Sequence, residues 1–416
     1  MKHFTNLKPP AAIPPVPQRL EDLDVPEYLV LDLAVRHVHM RGTVTIHMLA
    51  ELLKLPPELA ENIFRRLNEQ QLLEVRRMTG DDYIFSLSPT GRRLASERAA
   101  VTRYVGPIPV SLARYTATIR AQAANVEVTR ESLQRSFSDI VVTDAILDDL
   151  GPALISQRSI FLYGPSGTGK TTISERLMRV FEDAVAVPYA VEVDGQIVTV
   201  ADPSVHEKVQ LDGVHADPRW MLCRRPFLAV GGELITTMLD LTRDEAAGTF
   251  VAPLQMKANN GILLIDDFGR QMMSPRDLLN RWIVPLDRRV DFLSLGSGGK
   301  FDIPFELLVV FSTNLEPNEL ADEAFLRRIP NKILIGSIEP EAFDRIFEIA
   351  ARGLGLRLEP AEVPLMRELC LAHSPDLRPC YPRDICQIVK SICQYERRGP
   401  EITRAALERA VATYFV

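Results

Sequence analysis

Apolar positions change their period several times along this chain. From Glu27 to Glu74 they recur every three or four residues in EYLVLDLAVRHVHMRG, IHMLAELLKL and PPELAENIFRRLNEQQLLE, which predicts three amphipathic helices. Two β-type runs follow, flanking the turn signal Thr79-Gly80-Asp81-Asp82, and a further helix begins near Pro89. From Phe137 onward short apolar runs alternate with helical stretches, the mark of a parallel sheet covered by helices. Beyond about residue 337 only helical spacing remains, in PEAFDRIFEIAARG, PAEVPLMRELCLAH, PRDICQIVKSICQYERR and EITRAALERAVATYF. The opening KPPAAIPPVP lacks the apolar content to pack and reads as an extended tail.

These patterns divide the chain into a tail (1–25), a first unit (26–100), a linker (101–135), an α/β unit (136–336) and an all-helical unit (337–416). Three helices followed by a hairpin is the pattern of a winged helix-turn-helix. Composition adds little constraint: 46% hydrophobic and 25% charged residues describe an ordinary globular chain. No apolar run approaches the ~18 residues of a membrane span, and no apolar leader is evident, so no membrane insertion and a cytoplasmic location are expected. The net charge of −7, from 48 basic and 55 acidic residues, gives no global pull toward nucleic acid. Five cysteines without a C-x-x-C pair, and His37 and His39 on different faces of a helix, suggest no metal site.

Chemistry concentrates in SIFLYGPSGTGKTT, residues 159–172. An apolar strand runs into a glycine-rich loop and then a helix, and Gly164, Gly169, Lys170 and Thr171 meet the pattern G-x-x-x-x-G-K-[ST]. Glycines let backbone N–H groups turn inward on phosphate oxygens, and the helix N-terminus adds a favourable dipole. The loop residues Gly164, Pro165, Ser166, Gly167, Thr168, Gly169, Lys170, Thr171 and Thr172 are therefore expected to bind ATP, with Lys170 on the β- and γ-phosphates and Thr171 on Mg²⁺. About a hundred residues on, GILLIDDFGR sets two aspartates at the end of a run that should be buried. Adjacent buried carboxylates repel unless a cation or hydrogen bonds hold them. Asp266 is the expected Mg²⁺-side carboxylate and Asp267 the expected water-activating acid.

This combination resembles the AAA+ ATPases over roughly residues 137–416. LLVVFSTNLEP resembles the family's sensor 1 strand and ends in Asn314. DEAFLRRIPNKILI resembles the arginine-finger segment, with Arg327 or Arg328 reaching a neighbouring subunit's nucleotide, which implies a ring, in the family most often a hexamer. YPRDI resembles sensor 2, with Arg383 folding the helical lid onto the nucleotide. Two further stretches resemble the helix-2 insert and pre-sensor-1 hairpin of the branch that includes MoxR-type chaperones and enhancer-binding transcription activators. One is a polar turn, Arg243 to Gly248, inside the expected second core helix; the other is a pair of strands about Gly296, Gly298 and Gly299. YAVEVDGQIVTVAD reads as another hairpin, turning at Asp194-Gly195, with no evident chemistry.

Where most AAA+ members carry Glu, this chain has Asp267. Asp is one methylene shorter, so its carboxylate stands over ~1 Å further from the same water, which predicts slow hydrolysis. The Asp-Asp pair also resembles replication initiators and helicase-loader-like members, in which nucleotide acts as an assembly switch. Three functions follow as expectations: a ring ATPase remodelling a macromolecular partner, a DNA-binding regulator switched by ATP, and a near-inert nucleotide-bound scaffold. Glu58 and Glu61 on the would-be recognition helix oppose DNA, whereas Arg65, Arg66, Arg76, Arg77, Arg92 and Arg93 favour it. Residues 1–100 balance 13 basic against 13 acidic residues, so a protein client and DNA both stay open, with docking slightly favoured.

Overall fold

The structure is a computed structural model that describes residues 7–80, 82–123, 127–296, 298–320 and 323–415. Residues 1–6 of the expected tail, Asp81 of the first turn signal, Ser297 and Asp322 lie outside the described residues.

The proline-rich segment does not extend away from the protein. Lys8 pairs with the main chain beside Asp183 (Lys8 N to Glu182 O 2.8 Å, Ala184 N to Lys8 O 2.9 Å), and Asp217 N donates to Pro14 O at 2.9 Å. Pro10, Pro14 and Pro17 are buried. Proline rings bring apolar surface without an N–H to satisfy, so the segment packs against a surface made some 200 residues later rather than on itself.

The first unit contains α1 (Glu27–Arg41), β1 (Thr43–Thr45), α2 (Ile46–Leu53), α3 (Pro57–Glu69), β2 (Leu73–Thr79), β3 (Asp82–Leu87) and α4 (Pro89–Ala99). The strands form an antiparallel sheet in the order β1-β3-β2. Thr45 and Ser88 cap α2 and α4 by accepting from Met48 N and Gly91 N, and Pro57 opens α3, where its missing N–H costs nothing. Residues read as a linker are instead built into the fold as β4 (Val110–Ser111), α5 (Leu112–Ala123) and α6 (Arg130–Ser136). The buried Arg36 donates to Tyr104 O at 3.1 Å, and Arg103 N donates to Ala247 O at 2.8 Å. The first unit's apolar core runs on through Tyr104 and Ile108 to Ala190 and Ile197.

The α/β unit begins with α7 (Asp144–Ser156), β5 (Ile160–Tyr163) and α8 (Lys170–Leu177). An elaboration follows: β6 (Ala184–Pro188), β7 (Ala190–Val193), β8 (Gln196–Thr199), β9 (Trp220–Arg224), β10 (Phe227–Val230), β11 (Thr242–Asp244), β12 (Thr249–Val251) and α9 (Leu254–Lys257). The remainder is β13 (Ile262–Ile265), α10 (Pro275–Arg288), β14 (Val290–Ser294), β15 (Lys300–Pro304), β16 (Leu308–Thr313), α11 (Pro317–Leu320), α12 (Glu323–Leu326) and β17 (Asn331–Leu334). The central sheet is wholly parallel in the order β10-β13-β16-β5-β17, the α/β class expected, with helices on both faces. Its runs IFLY, ILLI and LVVF are apolar at every position because both faces are covered. Ile160, Leu162, Ile262, Leu264, Leu308 and Val310 pack with α6, α7 and α8. Phe161, Leu263, Ile265, Val309 and Phe311 pack on the opposite face with Trp282 of α10.

The expected second core helix with an internal turn does not form. Residues 231–258 give a 3-10 turn at Thr236–Leu239, the hairpin β11–β12 and the one-turn α9. β-Branched Thr242, Thr249 and Val251 suit strands, while Asp244 closes the turn by accepting from Ala246 N and Ala247 N, with Gly248 at φ +68°. This hairpin joins the Asp194-Gly195 hairpin in a second sheet, β11-β12-β8-β7-β4. The β14–β15 hairpin forms as the glycine pattern predicts. Four helices, α13 (Pro340–Leu354), α14 (Glu362–His373), α15 (Cys380–Tyr395) and α16 (Arg404–Tyr414), close the chain about their own core.

Candidate functional site

Adjacent parallel strands end together, and the side chains just past β5, β13 and β16 therefore converge. Between β5 and α8 the loop needs glycine at Gly164 and Gly167: both have positive φ, and an added Cβ would lie 2.3 Å from Ile335 O or 2.4 Å from Cys380 Sγ. Thr168 Oγ1 donates to Pro165 O at 3.0 Å, closing the loop on itself. Lys170 is 7% exposed, and its ammonium donates to Gly164 O (2.9 Å), Pro165 O (2.8 Å) and Asn314 Oδ1 (2.7 Å). Three protons meet three acceptors. Thr171 Oγ1 donates to Asp266 Oδ2 at 2.7 Å. Asn314 Nδ2 donates at 3.4 Å to Asp267 Oδ1, so the asparagine bridges the lysine and the second aspartate. The structure thus brings together Lys170, Thr171, Asp266, Asp267 and Asn314 from three strand ends. Thr172 lies half-buried behind them on α8.

Burial lowers the Lys170 pKa from its ordinary value, Asp266 and Asp267 oppose that shift, and Arg378 reinforces it. The adjacent acids are not buried together as the apolar run suggested: Asp266 is half-buried and accepts from Asp267 N at 3.0 Å, while Asp267 is exposed, where water screens their repulsion. Asp267 has a left-handed backbone, φ +48°, which Asp tolerates better than most residues.

The arginine of the C-terminal helical unit that meets the loop is one the sequence reading passed over. Arg378 Nη1 donates to Ser166 O at 3.2 Å, its guanidinium lies over the Tyr381 ring, and its buried Nε has no partner among the described residues. Cys380 N also donates to Gly167 O at 3.2 Å. Arg383 is exposed on α15, and Asp384 accepts from Tyr414 OH at 3.1 Å. In LRPCYPRD two arginines flank the start of the helix; only the loop-borne one is aimed back at Ser166. Away from this cluster, Arg327 is exposed, while Arg328 Nε is paired with Asp287 Oδ2 at 2.8 Å. Lys332 Nζ donates to Leu326 O and Ile329 O, both at 2.7 Å, pinning the turn that carries both arginines.

Fold and site together define a phosphate-loop α/β protein. Residues 339–413, the helical unit, match a domain of unknown function (DUF8689). No curated protein matches the sequence. Among solved structures, NtrX from Brucella abortus in complex with ATP is 12% identical, covering 79% of this chain and 64% of that one at a TM-score of 0.42. The RuvB Holliday junction branch migration motor of Thermotoga maritima is 13% identical, covering 69% of this chain and 70% of that one at a TM-score of 0.38. No helix among the described residues is long and apolar enough to cross a membrane.

Proposed function

We propose that this chain is an AAA+ ATPase that binds ATP with Mg²⁺ and acts, as a ring in the cytoplasm, to remodel or switch a macromolecular partner. The observation that carries the reading is the joined cluster of Lys170, Asn314, Asp267, Thr171 and Asp266 at three neighbouring strand ends. These donors suit the ligand: a loop whose glycines take the positive φ it requires, a lysine already among backbone carbonyls, and a hydroxyl–carboxylate pair of hard oxygens fit for Mg²⁺. Bound Mg²⁺ supplies charge neutralisation across the phosphates as the γ-phosphoryl group leaves. Lys170 then exchanges carbonyl partners for phosphate oxygens. Thr171 and Asp266 hold the metal side. Asp267 takes the proton of the attacking water, and Asn314 keeps that carboxylate and Lys170 in register. Arg378 is placed to join the phosphates from the lid, and exposed Arg327 suits a role on a neighbouring subunit better than the paired Arg328.

Lys170→Ala is expected to abolish ATP binding, read by titration of a fluorescent ATP analogue; normal affinity in that variant sinks the assignment. The first unit, with its winged-helix pattern, is the proposed partner-binding element. A protein partner is favoured because Arg65 is paired with Glu61 at 2.6 Å and Arg66 with Glu27, which neutralises the helix that would read DNA. The DNA-regulator reading rests on exposed Arg77, Arg92 and Arg93, since Arg76, though exposed, is paired with Glu74 at 2.9 Å. A gel shift with the full chain that weakens steeply with salt would favour it.

A further inference from the structure

The two aspartates sit at the start of a turn whose closing residue is Gln271. Asp266 directly follows β13 with its N–H on Val230 O (2.8 Å); Phe268, buried against Phe161 and Phe311, donates to Ser312 O (2.7 Å) and accepts from Thr313 Oγ1 (2.7 Å). The backbone takes a left-handed φ at Asp267 (+48°), between these anchors, and again at Gly269 (φ +108°), just past Phe268, where a Cβ would meet Leu320 at 2.6 Å. Arg270 N donates to Asp267 O at 3.0 Å. One side chain stitches the turn from within: Gln271 Nε2 donates to Asp266 O at 2.8 Å, and Gln271 Oε1 accepts from Gly269 N at 2.8 Å. Its amide thus spans the Asp266–Asp267 and Phe268–Gly269 peptides, the two units that must stay fixed if Asp267 is to keep a backbone region few side chains adopt.

We infer that Gln271 is a positioning residue, acting through the Asp266–Asp267 turn to aim both carboxylates, an inference that rests on the Mg²⁺ and water roles proposed above. It touches no phosphate and no reacting atom. Without its amide, Asp266 O loses a donor and the Asp266–Asp267 peptide keeps only the bond from Asp267 N to Asp266 Oδ1 (3.0 Å), so a shift of that peptide draws the metal-side carboxylate away from Thr171. A general hydrophobic role predicts no such effect, because an isosteric methionine would fill the same space.

The test compares full-length wild type with Gln271→Met and Gln271→Glu, the second keeping an acceptor for Gly269 N while losing the donor to Asp266 O. A fluorescent ATP analogue is titrated with Mg²⁺ and again with a chelator, and amide hydrogen exchange is followed across residues 266–271. Groups that orient a metal ligand typically change metal affinity by about 10–100-fold when removed. Both variants should therefore bind the analogue like wild type in chelator, lose about tenfold of the gain that Mg²⁺ gives wild type, and exchange the turn amides faster at unchanged melting temperature. A wild-type Mg²⁺ gain that Gln271→Met keeps in full, with unchanged exchange, overturns this inference alone. A wild-type chain with no Mg²⁺ gain overturns the metal reading and this inference together.

Discussion

Asp267→Glu tests the proposed chemistry most directly, because two effects of known size oppose each other. Adding a methylene extends the carboxylate by over ~1 Å, and a catalytic group misplaced by about 1 Å can cost roughly a hundredfold in rate. The 3.4 Å contact from Asn314, longest in the cluster, is what a carboxylate that stops short would make. Against this, the residue sits at φ +48°. Glu lacks the tolerance of Asp for that region, and a left-handed backbone costs other L-residues roughly 1–2 kcal/mol, about 5- to 30-fold in the population of the productive turn. The reach gain exceeds the backbone cost, leaving a net acceleration of about 3- to 20-fold. Single-turnover hydrolysis of labelled ATP measures the chemical step, with analogue titration to establish unchanged binding. A flat or slower rate at unchanged affinity refutes the idea that Asp267 is too short.

Arg378→Ala should weaken ATP binding about tenfold or more while Arg383→Ala leaves it within twofold, by the same titration; the reverse order would restore the expected role of Arg383. Arg327→Ala should keep binding, lose hydrolysis, and regain some activity when mixed with Asp267→Ala; no recovery at any mixing ratio counts against a site shared between subunits. Arg219→Met should destabilise the chain by about 3–5 kcal/mol in urea unfolding, because Asp217 would keep its buried charge with no cation beside it, only the N–H of residue 219. Arg219 and Asp217 are both fully buried, 2.7 Å apart. The double variant Arg219→Met with Asp217→Leu should recover much of the loss.

The parts of this protein that were legible in sequence are those where neighbours in the chain decide the outcome. IFLY, ILLI and LVVF are apolar throughout because they lie inside a parallel sheet, and the glycine spacing of residues 164–169 follows from the backbone conformations the loop requires. Residues 231–258 misled because Leu, Met, Glu and Ala support helical spacing while β8, a strand over forty residues earlier, offered Val198 and Thr199 as pairing partners for β12. Tertiary pairing overrode local preference. The choice between Arg378 and Arg383 depended on which way the loop before α15 turns, and nothing in RPCYPR encodes that direction at short range.

The buried strap at the N-terminus bears on how the chain is made. Leu23 O and Arg219 Nη1, 196 residues apart in sequence, meet at 2.9 Å, and Pro14 waits for Asp217 in the same way. At about 5–20 residues per second of synthesis, residues 8–23 leave the ribosome some 10–40 seconds before the surface they dock on exists. A proline-rich, strand-averse segment suits that interval, since it has few N–H groups to recruit a wrong partner and little tendency to aggregate. Closing the strap is therefore a late event in biogenesis, and it reports that residues 183–219 have folded.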